Sequence, residues 1–575
     1  MFNNEEMYFY MKINEVLEHL WDKYYKEDER NIKVSSLSLY DYLRKCNKDN
    51  KNCDAINYFN NKLTFKELFI QVNLCARALK SQGIRKGDVV TICMPNTPEA
   101  VIVFYAVNKI GAISSMIHPL SAEEEIKESL IATKSVMLIA INLSYSKLKN
   151  IIRDTDVYKT IIVSAADSMP TLLKVGYQLI KGRNIEVPAK SEDYLYWSDF
   201  MNKGRKYNGK VLTKVLRNDP AVILHSGGTT GTPKNIVLTN GNINAVARQA
   251  RIIFPEIDTT DRMLAVLPLF HCFGLVVCVH APMCLGASSI LIPQFDAKRF
   301  DKLLIKYKPT LVPGVPTLFE AMINNEHMKN VDLSYIKYLI SGGDTLSEEK
   351  NRVVNDFLLE HNCDKHIIQG YGMTETSGPV TFGALGSDVL GSVGIPLPGN
   401  EIKIIDVETG LEAQNGGTGE ICISGPSVMN YYLDNEEETS NILEIDEIGH
   451  KWVHTGDLGY LNEDGVLFFV QRLKRMLIVS GYNVYPSHIE DVILKHPAVE
   501  SCGVIGVPHP YKVQVPKAYI VLKNGVNLNS KLKKELEEYC EKNLAKYMIP
   551  KEFVFRESLP KTLVGKINYR ELENI

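Results

Sequence analysis

Several features that would place this 575-residue sequence in a broad class are absent from it. Its 65 Lys and Arg residues are balanced by 68 Asp and Glu residues, which leaves a formal net charge of −3 and no electrostatic reason to expect a nucleic-acid partner. No apolar run reaches the roughly 18 residues that a membrane-spanning helix requires. We therefore expect a protein that binds no nucleic acid and makes at most peripheral contact with a membrane.

Paired cysteines are also missing. The 11 cysteines are scattered, without a C-x-x-C pair or a Cys/His cluster at metal-ligand spacing, which argues against a disulfide framework and a structural zinc site and fits a reducing compartment. The N-terminal stretch carries Glu5, Glu6, Lys12, Glu15 and Glu18 and lacks the apolar core of a secretory signal. We expect a cytoplasmic protein, and peripheral contact with the inner face of the membrane stays open.

Strand-like and helical stretches alternate through most of the chain. Thr64 stands three residues before Glu67, a capping-box pattern that predicts a helix start, and the apolar runs at 89–92 and 112–117 are typical of strands. The alternation predicts an α/β fold in which mostly parallel sheets are wrapped by helices on both faces. Short strands separated by Gly- and Asn-containing turns follow residue 400 and predict a small β-rich subdomain.

The length of the chain requires more than one core, because a single core stops growing at about 250–300 residues. Apolar residues at helical spacing from Ile13 to Tyr24 predict a helical arm within residues 1–50, packed on a main domain over 51–471. A compact α+β pattern from Arg472 onward predicts a separate small domain over 472–575.

The segment 169–183 is largely apolar and is interrupted by the basic residues Lys174, Lys181 and Arg183. Such a segment can lie on a membrane surface and collect an amphiphilic substrate. The alternative is the commoner case, an ordinary surface helix whose basic side chains are solvated. The sequence leaves both interpretations open.

A loop rich in Gly and Thr lies between two strand-like apolar runs and reads H-S-G-G-T-T-G-T-P-K-N-I-V-L-T-N over 225–240. Its glycines permit close approach to a ligand, its hydroxyls donate hydrogen bonds and Lys234 adds a mobile positive charge, which together suit a polyphosphate. Lys234 follows Pro233 and leads into a strand, unlike the lysine of a Walker-type loop, which opens a helix. On composition alone, a hairpin turn without function remains the alternative.

Five further motifs follow this loop in order along the chain. They read L-P-L-F-H-C-F-G at 267–274, Q-G-Y-G-M-T-E at 369–375, W-V-H-T-G-D-L-G at 452–459, R-L-K at 472–474 with G-Y-N-V-Y-P at 481–486, and P-K-T-L-V-G-K-I at 560–567. With the loop, they resemble the adenylate-forming superfamily of acyl-CoA synthetases, luciferases and peptide-synthetase adenylation domains, over about residues 55–575. The overall layout is similar to bacterial medium- and long-chain fatty acyl-CoA ligases.

The resemblance implies a reaction in two steps. A carboxylate attacks the α-phosphate of ATP and releases pyrophosphate, and the thiol of CoA then takes the acyl group from acyl-AMP, which gives acyl-CoA and AMP. Small or apolar residues at 312–317 and 339–343 favour an aliphatic acid. Two alternatives stay open: an acyl-AMP ligase that loads an acyl carrier protein, and a non-catalytic nucleotide-binding or sensing protein on the same fold.

Roles for individual residues toward ATP and Mg²⁺ are also implied. Lys566 would bridge the substrate carboxylate and the α-phosphate, and Glu375 would bind Mg²⁺, which prefers oxygen ligands. Asp457 would accept hydrogen bonds from the ribose hydroxyls, with Arg472 beside it. The other residues implied to hold ATP are Ser226, Gly227, Gly228, Thr229, Thr230, Gly231 and Lys234 around the phosphates, Thr374 at the α-phosphate, and Gly343, Asp344, Thr345, Gly370, Tyr371 and Gly372 around adenine, with Tyr371 as the stacking face.

For the acid and CoA, the resemblance implies a second group of residues. His271 would orient the carboxylate and gate the thiol's access, although a lone His among apolar residues is more often a core group. Lys474 would be the hinge about which the C-terminal domain swings between the two steps. The implied acyl pocket contains His271, Val315 and Gly342, and the implied CoA tunnel contains Gly481 and Tyr482.

Overall fold

A computed structural model describes residues 19–30, 32–180, 182, 185–225, 234–413, 416–479, 482–509, 512–562 and 566–575. Within these ranges, none of the helices combines the length and the apolar character that crossing a membrane requires.

Strands occur throughout the described chain. Those up to residue 400 are β1 (Asp54–Tyr58), β2 (Asn61–Thr64), β3 (Val89–Cys93), β4 (Ile113–Met116), β5 (Ser135–Ile141), β6 (Lys159–Val163), β7 (Tyr194–Tyr196), β8 (Pro220–His225), β9 (Asn235–Thr239), β10 (Arg262–Ala265), β11 (Ser288–Leu291), β12 (Leu311–Gly314), β13 (Tyr338–Gly342), β14 (Ile367–Met373), β15 (Gly378–Phe382) and β16 (Ile395–Pro396). Those beyond it are β17 (Glu401–Ile405), β18 (Gly419–Ser424), β19 (Tyr431–Tyr432), β20 (Leu443–Ile445), β21 (Lys451–Leu461), β22 (Leu467–Arg472), β23 (Leu477–Val479), β24 (Tyr482–Val484), β25 (Val499–His509), β26 (Val513–Leu522) and β27 (Glu552–Arg556).

Helices connect most of these strands. They are α1 (Glu27–Arg30), α2 (Leu39–Cys46), α3 (Phe65–Ser81), α4 (Pro98–Lys109), α5 (Glu123–Ala132), α6 (Tyr145–Ile151), α7 (Thr171–Ile180), α8 (Trp197–Lys206), α9 (Asn240–Ile253), α10 (Ala281–Leu285), α11 (Phe300–Tyr307), α12 (Pro316–Ile323), α13 (Glu348–Glu360), α14 (Glu436–Ile442), α15 (Pro486–Leu494), α16 (Ser530–Asn543) and α17 (Tyr569–Glu573). A π-helix, Phe273–His280, leads into α10.

Two large mixed sheets form the body of the protein. One has the order β16-β15-β14-β13-β12-β10-β11-β1-β2 and is parallel from β14 to β1. The other has the order β19-β9-β8-β4-β3-β5-β6-β7 and is parallel from β8 to β7. Antiparallel strands complete both sheets, and the predicted α/β class with mostly parallel sheets is confirmed.

Two smaller sheets follow in the sequence. The first has the order β17-β18-β21-β20, with β22 paired to β21, and is antiparallel throughout. The second has the order β24-β23-β26-β25, with β27 parallel to β26, and packs against α15 and α16 around an apolar core of its own. Residues after Arg472 therefore form a compact α+β unit.

Local sequence explains several of these elements. The capping box before α3 is present: the Glu67 N–H donates to Thr64 Oγ1 (3.2 Å) and the Glu67 carboxylate accepts from the Thr64 N–H (2.8 Å). Helix α4 is apolar on nearly every face, and its residues from Pro98 to Asn108 are buried. Such a helix must lie inside a core, and here that core joins the two large sheets.

Part of the N-terminal arm, around residues 20–24, differs from the helix that its spacing predicts. The helix expected through Leu20 and Tyr24 is a single 3₁₀ turn at Asp22–Tyr24, in which the Asp22 carboxylate accepts from the His19 N–H (3.2 Å). Ile13 lies outside the described residues. Tyr25 is buried, and its hydroxyl donates to the Pro396 carbonyl (2.7 Å), so this part of the chain contacts the edge of the first large sheet.

Candidate active site

The Gly/Thr-rich loop joins two neighbouring antiparallel strands of the second large sheet. Strands β8 and β9 end and begin at the paired residues His225 and Asn235, whose Nδ1 and Oδ1 atoms are 2.8 Å apart, and His225 Nε2 lies 3.2 Å from Ser115 Oγ. The base of the loop is thus fixed. The predicted phosphate-binding residues Ser226, Gly227, Gly228, Thr229, Thr230 and Gly231 lie outside the described residues.

Lys234 and Glu375 meet around Tyr432. Lys234 Nζ lies 2.5 Å from Glu438 Oε2 and 4.9 Å from the centre of the Tyr432 ring, and the Tyr432 hydroxyl donates to Glu375 Oε1 (2.8 Å). Burial, together with the charge of Glu375, raises the pKa of Tyr432, so the hydroxyl keeps its proton and remains a donor. The predicted phosphate lysine and the predicted Mg²⁺ ligand therefore occupy one locality.

Glu375 fits a magnesium site of the kind completed by substrate oxygens. It is buried in the 3₁₀ turn Thr374–Thr376 after β14, and its backbone carbonyl accepts from the Met429 N–H (2.7 Å). Mg²⁺ is commonly bound by one or two carboxylates plus phosphate oxygens and waters. A single fixed carboxylate beside a lysine that pairs with anions suits that donor set.

Asp457 is buried between a cation and a hydroxyl. It pairs with Arg472 across β21 and β22, Arg472 Nε lies 2.9 Å from Oδ1, and the Tyr371 hydroxyl donates to Oδ2 (2.7 Å). Burial raises the pKa of Asp457, while the charge of Arg472 and the hydrogen bond from Tyr371 oppose the rise. Among the described residues, Oδ1 has no aligned hydrogen bond, which leaves a buried acceptor open to a ligand hydroxyl.

Two glycines, one at the end of β13 and one in β14, have little room for side chains, and the exposed turn 343–345 follows β13. Gly342 pairs with Gly370 across β13 and β14, and a Cβ on Gly342 would lie 3.2 Å from a ring carbon of Phe273. A Cβ on Gly372 would lie 2.0 Å from the Gly378 carbonyl, so this position excludes any larger residue. The exposed Thr345 N–H donates to Asp344 Oδ1 (2.9 Å).

Lys566 comes from the C-terminal part of the chain to this same turn. A Cβ on Gly343 would lie 3.6 Å from Val315 Cγ1 and 4.0 Å from Lys566 Cε, so these three residues meet. Burial lowers the pKa of Lys566, the charge of Asp344 opposes it, and Arg472 lowers it further. The Lys566 N–H and carbonyl both bond to Thr562, which holds the backbone of the lysine in place.

His271 stands before the π-helix with its ring oriented by the backbone. The Phe273 N–H donates to His271 Nδ1 (3.2 Å), so the neutral ring carries its proton on Nε2. Burial, reinforced by the charge of Lys566, lowers the pKa of His271 to about 4. A Cβ on Gly274 would lie 2.0 Å from the Pro268 carbonyl, so glycine is required for this turn. His271 is thus a neutral donor close enough to Lys566 to sense its charge.

Of the residues predicted for the hinge and the CoA tunnel, Lys474 and Tyr482 are among the described residues. Lys474 is exposed in the 3₁₀ turn Leu473–Arg475, between β22 and β23. Beside it, Arg475 Nη2 lies 2.6 Å from Glu490 Oε1 in a buried ion pair. Tyr482 begins β24, and Gly481 lies outside the described residues.

One cluster near Asp457 centres on His454, which lies in the stretch 452–459 but has no role implied by that motif. His454 Nδ1 lies 3.0 Å from Glu420 Oε2 and 3.4 Å from Cys422 Sγ, and its Nε2 lies 3.2 Å from Glu444 Oε2. Cys422, Glu420 and Glu444 raise the pKa of His454 to about 11, so its ring is a cation. The other oxygen of Glu420 accepts from the Gly456 N–H (2.9 Å), which ties the cluster to the turn before Asp457.

Sequence reasoning also missed Tyr432, Glu438 and Phe273 as neighbours of the site. Phe273 lies within a quoted motif, so its position two residues after His271 was the available signal. No local sequence pattern marks Tyr432 or Glu438 as part of the site. They come close to Lys234 through the pairing of β19 with β9, two strands that are far apart in the sequence.

Comparisons with known proteins agree with this architecture. The sequence model of the AMP-binding enzyme family matches residues 43–433, and that of the AMP-binding enzyme C-terminal domain matches residues 488–566. The long-chain-fatty-acid–CoA ligase of Bacillus subtilis is 32% identical over 90% of this chain and 91% of its own length, and that of Haemophilus influenzae is 31% identical over 97% and 98%.

A solved structure supports the fold. ATP-bound MatB from Rhodopseudomonas palustris superposes with a TM-score of 0.80 at 23% identity, over 94% of this chain and 99% of that one. The resemblance to the adenylate-forming superfamily is therefore confirmed, and this chain belongs to the family of AMP-binding enzymes.

Proposed function

We propose that this enzyme is an AMP-forming acyl-CoA ligase, which activates a carboxylic acid with ATP and transfers the acyl group to CoA. The observation that carries the proposal is the position of Lys566, which meets Gly343 and Val315 where the charges of Asp344 and Asp457 act on it. A half-buried lysine among these residues supplies positive charge at the point where two anionic substrates must meet.

The first step joins the acid to AMP. A carboxylate oxygen forms a bond to the α-phosphorus of ATP, and the bond from that phosphorus to the bridging oxygen breaks, so that its electron pair leaves with pyrophosphate. Lys566 and Arg472 offset the charge at the reacting phosphate, and Lys234 offsets that of the leaving group. Mg²⁺ held by Glu375 would neutralise phosphate charge. Thr230 and Thr374 would donate hydrogen bonds to the phosphates.

His271 and Asp457 position the two substrates. The neutral His271 ring donates from Nε2 and so orients the carboxylate without adding a second cation beside Lys566. Asp457 Oδ1 accepts from a ribose hydroxyl, while Tyr371 and Arg472 keep the carboxylate fixed. We also propose that adenine stacks on the ring of Tyr371, while the Tyr371 hydroxyl donates to Asp457.

In the second step, the CoA sulfur bonds to the acyl carbonyl carbon, the carbon–oxygen bond to AMP breaks with its electron pair leaving on AMP, and the thiol proton passes to solvent. We assign the arm to residues 1–50, the adenylating domain to 51–471 and the mobile domain to 472–575. Lys474, exposed in a short turn between the two smaller sheets, is the hinge. Gly481 and Tyr482 then line the CoA tunnel.

The acid is a medium- or long-chain fatty acid. Val315 and Phe273 lie together beside Gly343, which gives the pocket an apolar wall. Two relatives named as long-chain-fatty-acid–CoA ligases support this class. We place the enzyme in the cytoplasm, where ATP and CoA are available.

A panel of carboxylic acids tests the proposal. The purified chain, ATP and Mg²⁺ are combined with acids from acetate to palmitate, with or without CoA, and AMP, pyrophosphate and acyl-CoA are measured. CoA-dependent AMP release with aliphatic acids is expected. Carboxylate-dependent exchange of pyrophosphate into ATP without acyl-CoA formation would indicate that a carrier protein, and not CoA, accepts the acyl group. Absence of AMP release with every acid would favour a non-catalytic nucleotide-binding protein.

A further inference from the structure

Three side chains that can bind a metal ion meet on the first of the two smaller sheets. Cys422 in β18 and His454 in β21 are cross-strand partners, and Glu420 lies two residues before Cys422. One potential ligand atom of each residue lies within 4.8 Å of those of the other two. Because the three residues come from two strands and are brought together by strand pairing, no short sequence motif indicates the cluster.

The three ligand atoms suit a divalent cation of the zinc class. Zn²⁺ is bound by imidazole nitrogen, thiolate sulfur and carboxylate oxygen, whereas Mg²⁺ and Ca²⁺ prefer oxygen ligands. Bond lengths of about 2.0–2.3 Å at tetrahedral angles place two ligand atoms about 3.3–3.6 Å apart. His454 Nδ1 lies 3.0 Å from Glu420 Oε2 and 3.4 Å from Cys422 Sγ, so shifts of about 0.3 Å or less bring these two separations to the required values. The charges of one thiolate and one carboxylate also balance the charge of the ion.

The groups behind these ligands are arranged as they are in a metal site. His454 Nε2, the ring nitrogen on the far side, lies 3.2 Å from Glu444 Oε2, and Glu444 Oε2 lies 3.1 Å from Lys403 Nζ. The second oxygen of Glu420 accepts from the Gly456 N–H (2.9 Å). A metal-bound histidine almost always donates its other ring N–H to a partner such as a carboxylate, and metal-bound carboxylates are themselves hydrogen-bonded. Partners that a bound metal would leave in place therefore already orient both ligands.

Burial and access also agree with a metal site. Cys422 is buried, while the side chains of His454 and Glu420 are 30% and 16% exposed, so an ion can reach the cluster from solvent and keep a water as its fourth ligand. The alternative is an ion pair between His454 and Glu420 that only holds the two strands together. Such a pair requires no thiol, whereas here the Cys422 sulfur lies close to the same ring nitrogen as the carboxylate.

We propose that Glu420, Cys422 and His454 bind a divalent cation of the zinc class. The ion replaces the thiol proton of Cys422 and the proton on His454 Nδ1, and both protons pass to solvent. It then cross-links β18 and β21 beside the Gly456 N–H and stabilises the turn that presents Asp457. The site uses none of the residues assigned to ATP or Mg²⁺, and it does not depend on the proposed reaction.

Titration of the full chain with Co²⁺ tests this proposal. Co²⁺ occupies zinc sites, and a thiolate bound to it gives a sulfur-to-metal charge-transfer absorption in the near ultraviolet. The untagged protein, freed of metal with EDTA, is expected to bind one Co²⁺ with this absorption, and Zn²⁺ is expected to displace the Co²⁺. Cys422→Ser is expected to lose the absorption. His454→Gln should weaken Co²⁺ binding by about 100-fold or more, and Glu444→Ala by about tenfold, because its carboxylate only orients the ring.

Cys53→Ser and His450→Gln are the matched controls, since Cys53 is a half-buried cysteine on another segment and His450 is an exposed histidine next to β21. Both are expected to keep the wild-type absorption and affinity. Zn²⁺ is expected to raise the melting temperature of the wild type and not that of His454→Gln.

Melting temperatures without metal show whether each variant folds. If the buried substitution Cys422→Ser does not fold, the affinities of His454→Gln and Glu444→Ala decide the question, because both alter side chains that are partly exposed. Absence of the thiolate absorption in the wild type, its persistence in Cys422→Ser, or an unchanged affinity in His454→Gln overturns the proposal.

Discussion

At the residue scale, Lys566 makes the most specific prediction. Lys566 is half-buried, its Cε atom lies near Gly343, and its ammonium group is close enough to Asp344 and Asp457 for their charges to act on it. Lys566→Ala removes the charge that offsets the repulsion between carboxylate and α-phosphate, so the rate of acyl-AMP formation should fall by about 100-fold or more. The measurement is pyrophosphate release in the presence of fatty acid and ATP.

Measuring the second half-reaction distinguishes a specific role of Lys566 in acyl-AMP formation from a general loss of structure in the variant. Lys566→Ala should form acyl-CoA from supplied acyl-AMP at a rate within about threefold of wild type, because the phosphoanhydride step is already complete. Lys561→Ala is the matched control, since Lys561 is exposed in the same motif. Equal loss of both half-reactions in Lys566→Ala would contradict the assignment.

His271 leads to a prediction about pH. Its pKa is lowered to about 4, so the ring is neutral from pH 5 upward and takes up a proton only below that range. A ring that acts as a neutral donor contributes the same factor throughout. The ratio of acyl-AMP formation rates, wild type over His271→Ala, should therefore be constant between pH 5.5 and 8. A ratio that changes severalfold across pH 6–7 would show that the ring titrates there and would contradict the neutral-donor role.

At this scale, the motifs indicated Lys566, His271 and Asp457, because each lies in a short stretch of unusual composition. Their partners could not be read in the same way. Tyr371 donates to Asp457 over 86 positions of sequence separation, and Tyr432 donates to Glu375 over 57, and neither separation has a local signal. Such pairs follow from strand order, which a single sequence does not reveal.

At the element scale, the ion pairs on β18 and β21 make the next prediction. Glu420 accepts from the Gly456 N–H while it holds His454, so these strands fix the turn that presents Asp457. His454→Gln should raise the KM for ATP severalfold with a smaller effect on kcat, because the turn loosens but the reacting groups remain. His450→Gln is the control, since His450 lies farther from its carboxylates, at 3.9–4.0 Å.

The same cluster predicts how the stability difference depends on pH. The pKa of His454 is about 11 in the folded protein and about 6.5 when unfolded, so its contribution to the free energy of unfolding is complete below about pH 6.5 and is lost as pH rises toward 11. The destabilisation by His454→Gln, of about 1–3 kcal/mol, should be larger at pH 6 than at pH 9 in urea unfolding of the metal-free protein. A difference that grows with pH would contradict the ion pair.

Elements were predictable where local rules and tertiary packing agree. The capping box at Thr64 and the buried strands at β3 and β8 follow from their own residues. The periodicity around Leu20 predicts a helix, but Trp21 and Tyr25 are fixed by burial against the body, and a short turn satisfies that burial. Helix α7 shows a different limit: none of its residues is buried and Leu172 is 89% exposed, and periodicity does not tell which side of such a helix faces the protein.

At the scale of the whole molecule, composition and alternation predict an α/β protein with a compact α+β unit at its end. They cannot predict how that unit sits on the body, because the side chains that join them act at long range. Lys566 reaches Gly343 across more than two hundred residues of sequence. Under the proposed mechanism, this position of the C-terminal unit serves acyl-AMP formation, and the second step requires a different one.

Lys474 tests whether the C-terminal unit must move for that second step. It is exposed in the turn Leu473–Arg475, so a side-chain change there disturbs no core contact. Lys474→Pro fixes the backbone φ angle near −65° and should block the backbone change that a swing requires. Acyl-AMP formation should stay within about threefold of wild type, and acyl-CoA formation from supplied acyl-AMP should fall by about tenfold or more. Lys474→Ala, which keeps backbone freedom, should retain both steps; unchanged acyl transfer in Lys474→Pro would place the hinge elsewhere.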